Sequence, residues 1–237
     1  MSLPLCRPAP GRLPCQPPPC SASYVRARFV LILALASAGL AQQYEMGGAG
    51  GYGIYRGATV FAPAGTAQAG FRNRFALSGV FCDDMYERIS GELRYLYHDG
   101  DAYVSSGAKK TDMEGQSHAI HYDVLFHLRK RREKLRPYVA AGGGAKIYVG
   151  TGPPMASQPL SSIAYLRDAP DAKALLTFGF GLKYALKEKL LLRVDFRDYL
   201  TQFPKGVIVP APSANPRGLM QQFTVLFGIS HVFGGKP

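Results

Sequence analysis

The chain has 237 residues, enough for one domain or two, with 47% hydrophobic and 11% aromatic residues, 27 glycines and a formal net charge of +12. Mean hydropathy is −0.04, and no apolar run reaches the roughly 18 residues that a membrane-spanning helix needs, so a helical membrane protein is excluded. Arg7, Arg12, Arg26 and Arg28 supply +4 within residues 1–41, and the rest of the charge is scattered along the chain without a nucleic-acid-binding motif. This argues against nucleic acid as a partner.

Residues 1–24 are rich in proline and hold Cys6, Cys15 and Cys20. Arg26 and Arg28 then precede the apolar run Phe29 to Leu40, and Gly39-Leu40-Ala41 leads into Gln42-Gln43. A positive flank, a short apolar core and small residues before a polar pair form the pattern of a secretory signal peptide. The sequence thus divides into a leader and signal peptide over 1–41, cleaved after Ala41 with Ala38 as the second choice, and a mature part over 42–237. The leader is long for such a signal. A translation start at Val25 would account for it, and a genuine long N-terminal region is the alternative. The leader cysteines have irregular gaps and no nearby histidine, a poor metal-ligand set. Once they are removed only Cys82 remains, which rules out an intramolecular disulfide.

The mature part reads as a series of strands, each with two different faces, because side chains of alternating character recur with a period of two. A glycine-rich first strand runs from about Tyr44 to Tyr55. A second ends near Phe81 and carries Phe75, Leu77, Gly79 and Phe81 on one face. In a third, Ile89 to Tyr97, Leu93, Tyr95 and Tyr97 alternate with Glu92, Arg94 and Leu96. A fourth, Ser117 to Leu128, sets Ile120, Tyr122, Val124 and Phe126 against His121, Asp123, Leu125 and His127. Pro137 to Val149 forms a fifth, with Lys146 on its polar side, and Ala174 to Ala185 a sixth, with Lys183 on its polar side. In the seventh, Leu190 to Leu200, Arg193, Asp195 and Arg197 alternate with Leu192, Val194 and Phe196. The last, Gln221 to Phe233, is the clearest: Phe223, Val225, Phe227, Ile229, His231 and Phe233 share one face. With so many such strands and so little else to cover them, the large faces are expected to point at lipid. A soluble ligand-binding barrel would place the large side chains inside instead.

The connections alternate in length. Residues 82–88, 129–136 and 186–189 form short turns, whereas about 98–116, 150–173 and 201–220 form long segments rich in Gly, Pro, Ser and Asp. Short turns at one end and long loops at the other are what an outer-membrane barrel has. On these features the chain resembles the small eight-stranded bacterial outer-membrane β-barrels, the outer-membrane-protein-A-like group, over about residues 42–233. The resemblance implies an all-β fold, an eight-stranded antiparallel up-and-down transmembrane β-barrel, and a place in the outer membrane of a bacterial cell. It also implies outer-membrane lipids and the barrel-assembly machinery as partners. The terminal aromatic, Phe233, is similar to the assembly signal of that family, although Gly234-Gly235-Lys236-Pro237 follows it where the family usually stops. Tyr97, Tyr148, Tyr184, Phe203 and Phe233, near strand ends, are expected to form aromatic girdles.

Strands in lipid must close, because an open edge leaves backbone groups unpaired, and eight strands enclose a lumen just wide enough for side chains. The registers send Glu92, Arg94, His121, Asp123, Lys146, Lys183, Arg193, Asp195 and Arg197 into that lumen. Both signs are present, so an ion-pair network filling the interior is expected; a narrow conducting path lined by the same charges is the alternative. His121 and His127 share a face but lie six residues apart, roughly 20 Å along a strand, too far to hold one ion. Ser117 and His118 are neighbours on opposite faces, wrong for a nucleophile and its base. Gly142-Gly143-Gly144 lies inside a strand with no helix after it, which suits close packing or a bend rather than a phosphate loop. The basic run Arg129 to Arg136 reads as a solvated hairpin turn. No catalytic, cofactor or metal residue is assigned. The expected role is structural or surface-interacting and non-enzymatic. A porin-like channel for small solutes and a lipid-modifying enzyme are the alternatives.

Overall fold

The computed structural model describes residues 43–153 and 157–234, so the leader and signal peptide assigned to residues 1–41 lie outside the described residues. Eight long strands form a closed antiparallel barrel: β1 (Gln43–Arg56), β4 (Arg74–Asp84), β5 (Ile89–Asp99), β8 (Gly115–His127), β9 (Leu135–Gly150), β11 (Pro170–Lys187), β12 (Leu190–Thr201) and β15 (Met220–Gly234). Each of them pairs with the barrel strands before and after it, and β15 closes on β1 through a register that runs from Gln43↔Gly234 to Arg56↔Gln221. The topology is up-and-down.

The sorting of side chains is the reverse of a soluble barrel. Outward-facing Phe227 is 60% exposed, whereas Arg94, facing in, is 0% exposed. Leu176, Phe178 and Phe180 on β11, Ile120, Tyr122 and Val124 on β8, and Phe223 and Ile229 on β15 join Phe227 in an apolar outer belt. In water such a belt would be a large unsatisfied apolar surface. In a bilayer it is solvated by acyl chains, and closure leaves no strand edge unpaired. The protein is therefore a transmembrane β-barrel.

Short turns join β4 to β5, β8 to β9 and β11 to β12, and the first and last described residues lie at the same end, as an even strand count requires. The long connections at the other end are built rather than loose. They contain β2 (Ala58–Ala62), β3 (Gly65–Phe71), β6 (Ala102–Ser106), β7 (Lys109–Met113), β10 (Ala164–Leu166), β13 (Ile208–Pro210) and β14 (Asn215–Arg217). Five of these form a sheet in the order β14-β2-β3-β6-β7, and β10 pairs with β13. The β6–β7 hairpin turns at Gly107, whose φ of 57° is a left-handed conformation that favours glycine. One face of the extension packs a core of its own, including Val60, Phe71, Val104, Met113, Ile163 and Val207. The expectation of simple Gly- and Pro-rich loops misses this cap, because its strands are only three to seven residues long and too short to carry a period.

The aromatic girdles need one correction. Tyr184 and Phe233 do face outward, but Tyr148 and Phe203 are buried in the core under the cap. Tyr148 lies on the inward parity of β9 and stacks on Phe71 with ring centroids 4.9 Å apart. Being near a strand end does not tell which face a ring takes.

Candidate functional site

The lumen is the largest concentration of chemistry in the molecule. Along the middle of the barrel strands the outward positions are mostly apolar, so the charged residues of opposite parity are delivered to the interior. Glu92, Arg94, His121, Asp123, Lys146, Lys183, Arg193, Asp195 and Arg197 all lie there, none more than 2% exposed. Eight of the nine belong to one network, and Lys146 stands apart.

The network centres on Glu92. Its Oε1 accepts from Arg94 Nε and from Arg197, each at 2.9 Å, and its Oε2 accepts from Arg193. Arg94 also reaches Asp195 Oδ1 at 3.0 Å, and the Tyr138 hydroxyl donates to the same oxygen. Arg197 donates to Asp123 Oδ2 at 2.5 Å, while Thr177 and His121 Nδ1 bond the other Asp123 oxygen. A fourth carboxylate, Glu45, accepts from Lys183 at 2.5 Å, Arg193 at 2.8 Å and Ser230 at 2.6 Å. Glu45, Glu92, Asp123 and Asp195 thus face Lys183, Arg94, Arg193 and Arg197, so the charges balance. Balance matters because desolvating each ion costs several kcal/mol, which only close pairing and further hydrogen bonds offset.

Two glycines of β9 make the room. A Cβ on Gly142 would fall 2.6 Å from the Asp123 Cα, and one on Gly144 2.6 Å from the His121 Cα. Both point inward, so the triple-glycine stretch serves close approach.

Lys146 lies nearer the cap. It donates to Gln222 Oε1 and sits over the rings of Tyr55 and Tyr148, 4.6 Å and 5.1 Å from their centroids. Cation–π attraction is strong when the cation is desolvated. Tyr55 bonds Ser117 at 2.9 Å and Tyr148 bonds Thr201 at 2.7 Å. These rings continue into the cap core through Phe71. The lumen is therefore filled by ion pairs along its middle and by aromatic packing beneath the cap.

At the short-turn end Ser90 Oγ donates to Asp84 Oδ1 at 2.5 Å and lies 2.9 Å from His127 Nε2. The serine stands between carboxylate and imidazole, so the imidazole has no carboxylate to orient it as a base. All three side chains are buried, and the arrangement ties β4, β5 and β8 together rather than priming a nucleophile. Cys82 is a buried free thiol, 3.3 Å from Glu92 Oε2 and 3.2 Å from Arg193. Among the described residues no group of three His, Cys, Asp or Glu is placed to hold a metal ion.

The sequence reading omits Glu45, Tyr138 and Gln222 from the interior. Glu45 sits between Tyr44 and Met46, which is a signal of parity, but Gly47, Gly48, Gly50, Gly51 and Gly53 then blank the pattern along β1. Tyr138 is an aromatic on an inward position and reads as apolar. Gln222 belongs to the polar face of β15, where no charge draws attention to it.

No protein-family model matches the chain, and no curated protein sequence does. Among solved structures, the chain is similar to Neisserial surface protein A, at 11% identity and a TM-score of 0.46, covering 81% of this chain and 97% of that one. It is also similar to the N-terminal β-barrel domain of Pseudomonas aeruginosa OprF, at 16% identity and a TM-score of 0.43 with the same coverages. A third is the outer membrane protease OmpT from Escherichia coli, at 8% identity and a TM-score of 0.48, covering 81% and 97%. At these identities the likeness is one of architecture.

Proposed function

We propose that this protein is a non-enzymatic integral β-barrel of the bacterial outer membrane, with a structural or surface-interaction role. The observation that carries this reading is the filled lumen: a balanced set of buried ion pairs crosses its middle, and the cap core packs onto its upper end. A barrel filled in this way leaves its outer wall and its cap as the surfaces available to other molecules. The apolar belt supports outer-membrane lipids as its surroundings. The outward-facing Phe233, stacked on Tyr44 at 5.9 Å near the end of β15, supports recognition by the barrel-assembly machinery.

Planar-bilayer recording tests the role. The expected result is no unitary conductance from the purified barrel; reproducible steps would favour a narrow channel for small solutes. Incubation with lipid A or phospholipid should yield no modified lipid, and a product would make the protein a lipid-modifying enzyme. Location is tested by membrane fractionation with a heat-dependent gel shift of the folded form.

A further inference from the structure

Both ends of the barrel carry basic residues, some paired with acids and some exposed without a partner, and the short-turn end sets its unpaired ones beside the lipid-facing belt. At the cap end Arg74 pairs with Asp99 and Asp101, Arg72 and Lys110 with Asp112, and Lys173 with Asp171, while Arg56, Lys109, Arg167, Lys205 and Arg217 are exposed with no acid within ion-pair distance among the described residues. At the short-turn end Arg88, Arg132, Lys134, Lys187 and Lys189 are exposed, and among the described residues none has an acid within ion-pair distance. Arg131 and Arg136 pair with the buried Asp84 at 3.4 Å, so Arg136 at the end of the basic run is buried and not solvated, contrary to what its sequence suggests. Arg129 and Lys130 meet only exposed acids, at 3.5 Å and 3.7 Å, distances and exposures at which pairing is weak.

The five unpaired cations of the short-turn end come from three different turns, and the barrel closes the turns into one surface. The His127 amide donates to the Arg88 carbonyl at 2.8 Å, and the Ala185 amide donates to the Lys134 carbonyl at 2.8 Å. The β4–β5, β8–β9 and β11–β12 turns are therefore neighbours. The collar also adjoins apolar side chains that extend the lipid-facing belt to the rim: Met85, Tyr86, Leu128 and Leu186 are all at least 41% exposed. Apolar residues beside unpaired cations at the end of a membrane barrel are the arrangement that meets a bilayer at the level of its headgroups. An aqueous partner would have no use for the exposed leucines.

We propose that this collar binds the anionic phospholipid headgroups of the leaflet at the short-turn end. The proposal rests on the membrane-barrel reading and goes beyond it, by naming the lipid class and the residues that select it. Lys and Arg side chains near an anionic membrane surface each favour the charged lipid several-fold, and the attraction is screened by salt over a Debye length.

The test compares lipids at the protein surface by spin-label electron paramagnetic resonance. The full-length protein is reconstituted in phosphatidylcholine vesicles containing a small fraction of spin-labelled phosphatidylglycerol or spin-labelled phosphatidylcholine. The expected result is a motionally restricted fraction several-fold larger for the anionic label. This preference should collapse towards parity in high salt and in the variant Arg88→Gln/Arg132→Gln/Lys134→Gln/Lys187→Gln/Lys189→Gln. The cap-end variant Lys109→Gln/Lys110→Gln/Lys205→Gln should keep it. Equal restriction of the two labels by the unaltered protein, or full preference in the collar variant, would overturn the proposal. A heat-dependent gel shift on each sample separates the two levels: a shifted protein without preference sinks the proposal alone, and an unshifted one sinks the membrane-barrel reading with it.

Discussion

The lumen network makes its sharpest prediction at Asp195. This carboxylate accepts from Arg94 and Tyr138 and lies 3.5 Å from Arg193 and 3.6 Å from Arg197. Asp195→Ala leaves four cations facing three carboxylates in a space closed to water. Breaking a buried pair by removing one partner costs about 3–5 kcal/mol, because the remaining charge is stranded. With a urea dependence of about 2 kcal/mol/M, the unfolding midpoint should fall by about 2 M. Asp168→Ala removes the same group from an exposed position of the β9–β11 connection and should leave the midpoint unchanged. The chain has no tryptophan, so unfolding is followed by circular dichroism or by loss of the fast-migrating folded band on a gel. A compensating variant, Arg94→Met/Asp195→Leu, removes both members of a pair and should recover part of the loss. Equal midpoints for Asp195→Ala and Asp168→Ala would refute the argument that these charges hold the barrel from within.

Trypsin added to intact cells should cut at Lys109, Lys110 or Arg167, which are exposed on the cap, and spare Arg129 to Arg136 until the outer membrane is opened; first cleavage within Arg129 to Arg136 would mean an inverted topology. Gly142→Ala, which drives a methyl into the Asp123 backbone, should lower the urea midpoint clearly, whereas Gly79→Ala, whose Cβ would meet nothing within 4 Å, should be neutral in the same assay. N-terminal sequencing of the membrane form should read from near Gln42, and a start within the Pro-rich leader would contradict export through a cleaved signal.

The sequence alone determined the barrel's wall. A period of two is a local property, written into neighbouring residues, so the large face of β15 from Phe223 to Phe233 and the charged face of β12 from Arg193 to Arg197 are legible without any fold. Turn lengths are equally local, and they placed the short and long connections at opposite ends. What lay beyond local reading was every pairing across the lumen. Glu45 and Arg193 are separated by 148 residues, and which cation meets which carboxylate depends on shear and closure, which no single strand carries. The same holds for Lys146: parity sends it inward, but only the closed barrel decides that it meets tyrosine rings and an amide rather than an acid. The cap was hidden because strands of three to seven residues show no period, and their core residues, among them Val60, Val104, Leu166 and Ile208, come from four separate connections. Tyr148 and Phe203 went astray for that reason: a ring near a strand end can face lipid or core, and the choice falls to whichever apolar surface the tertiary structure brings against it.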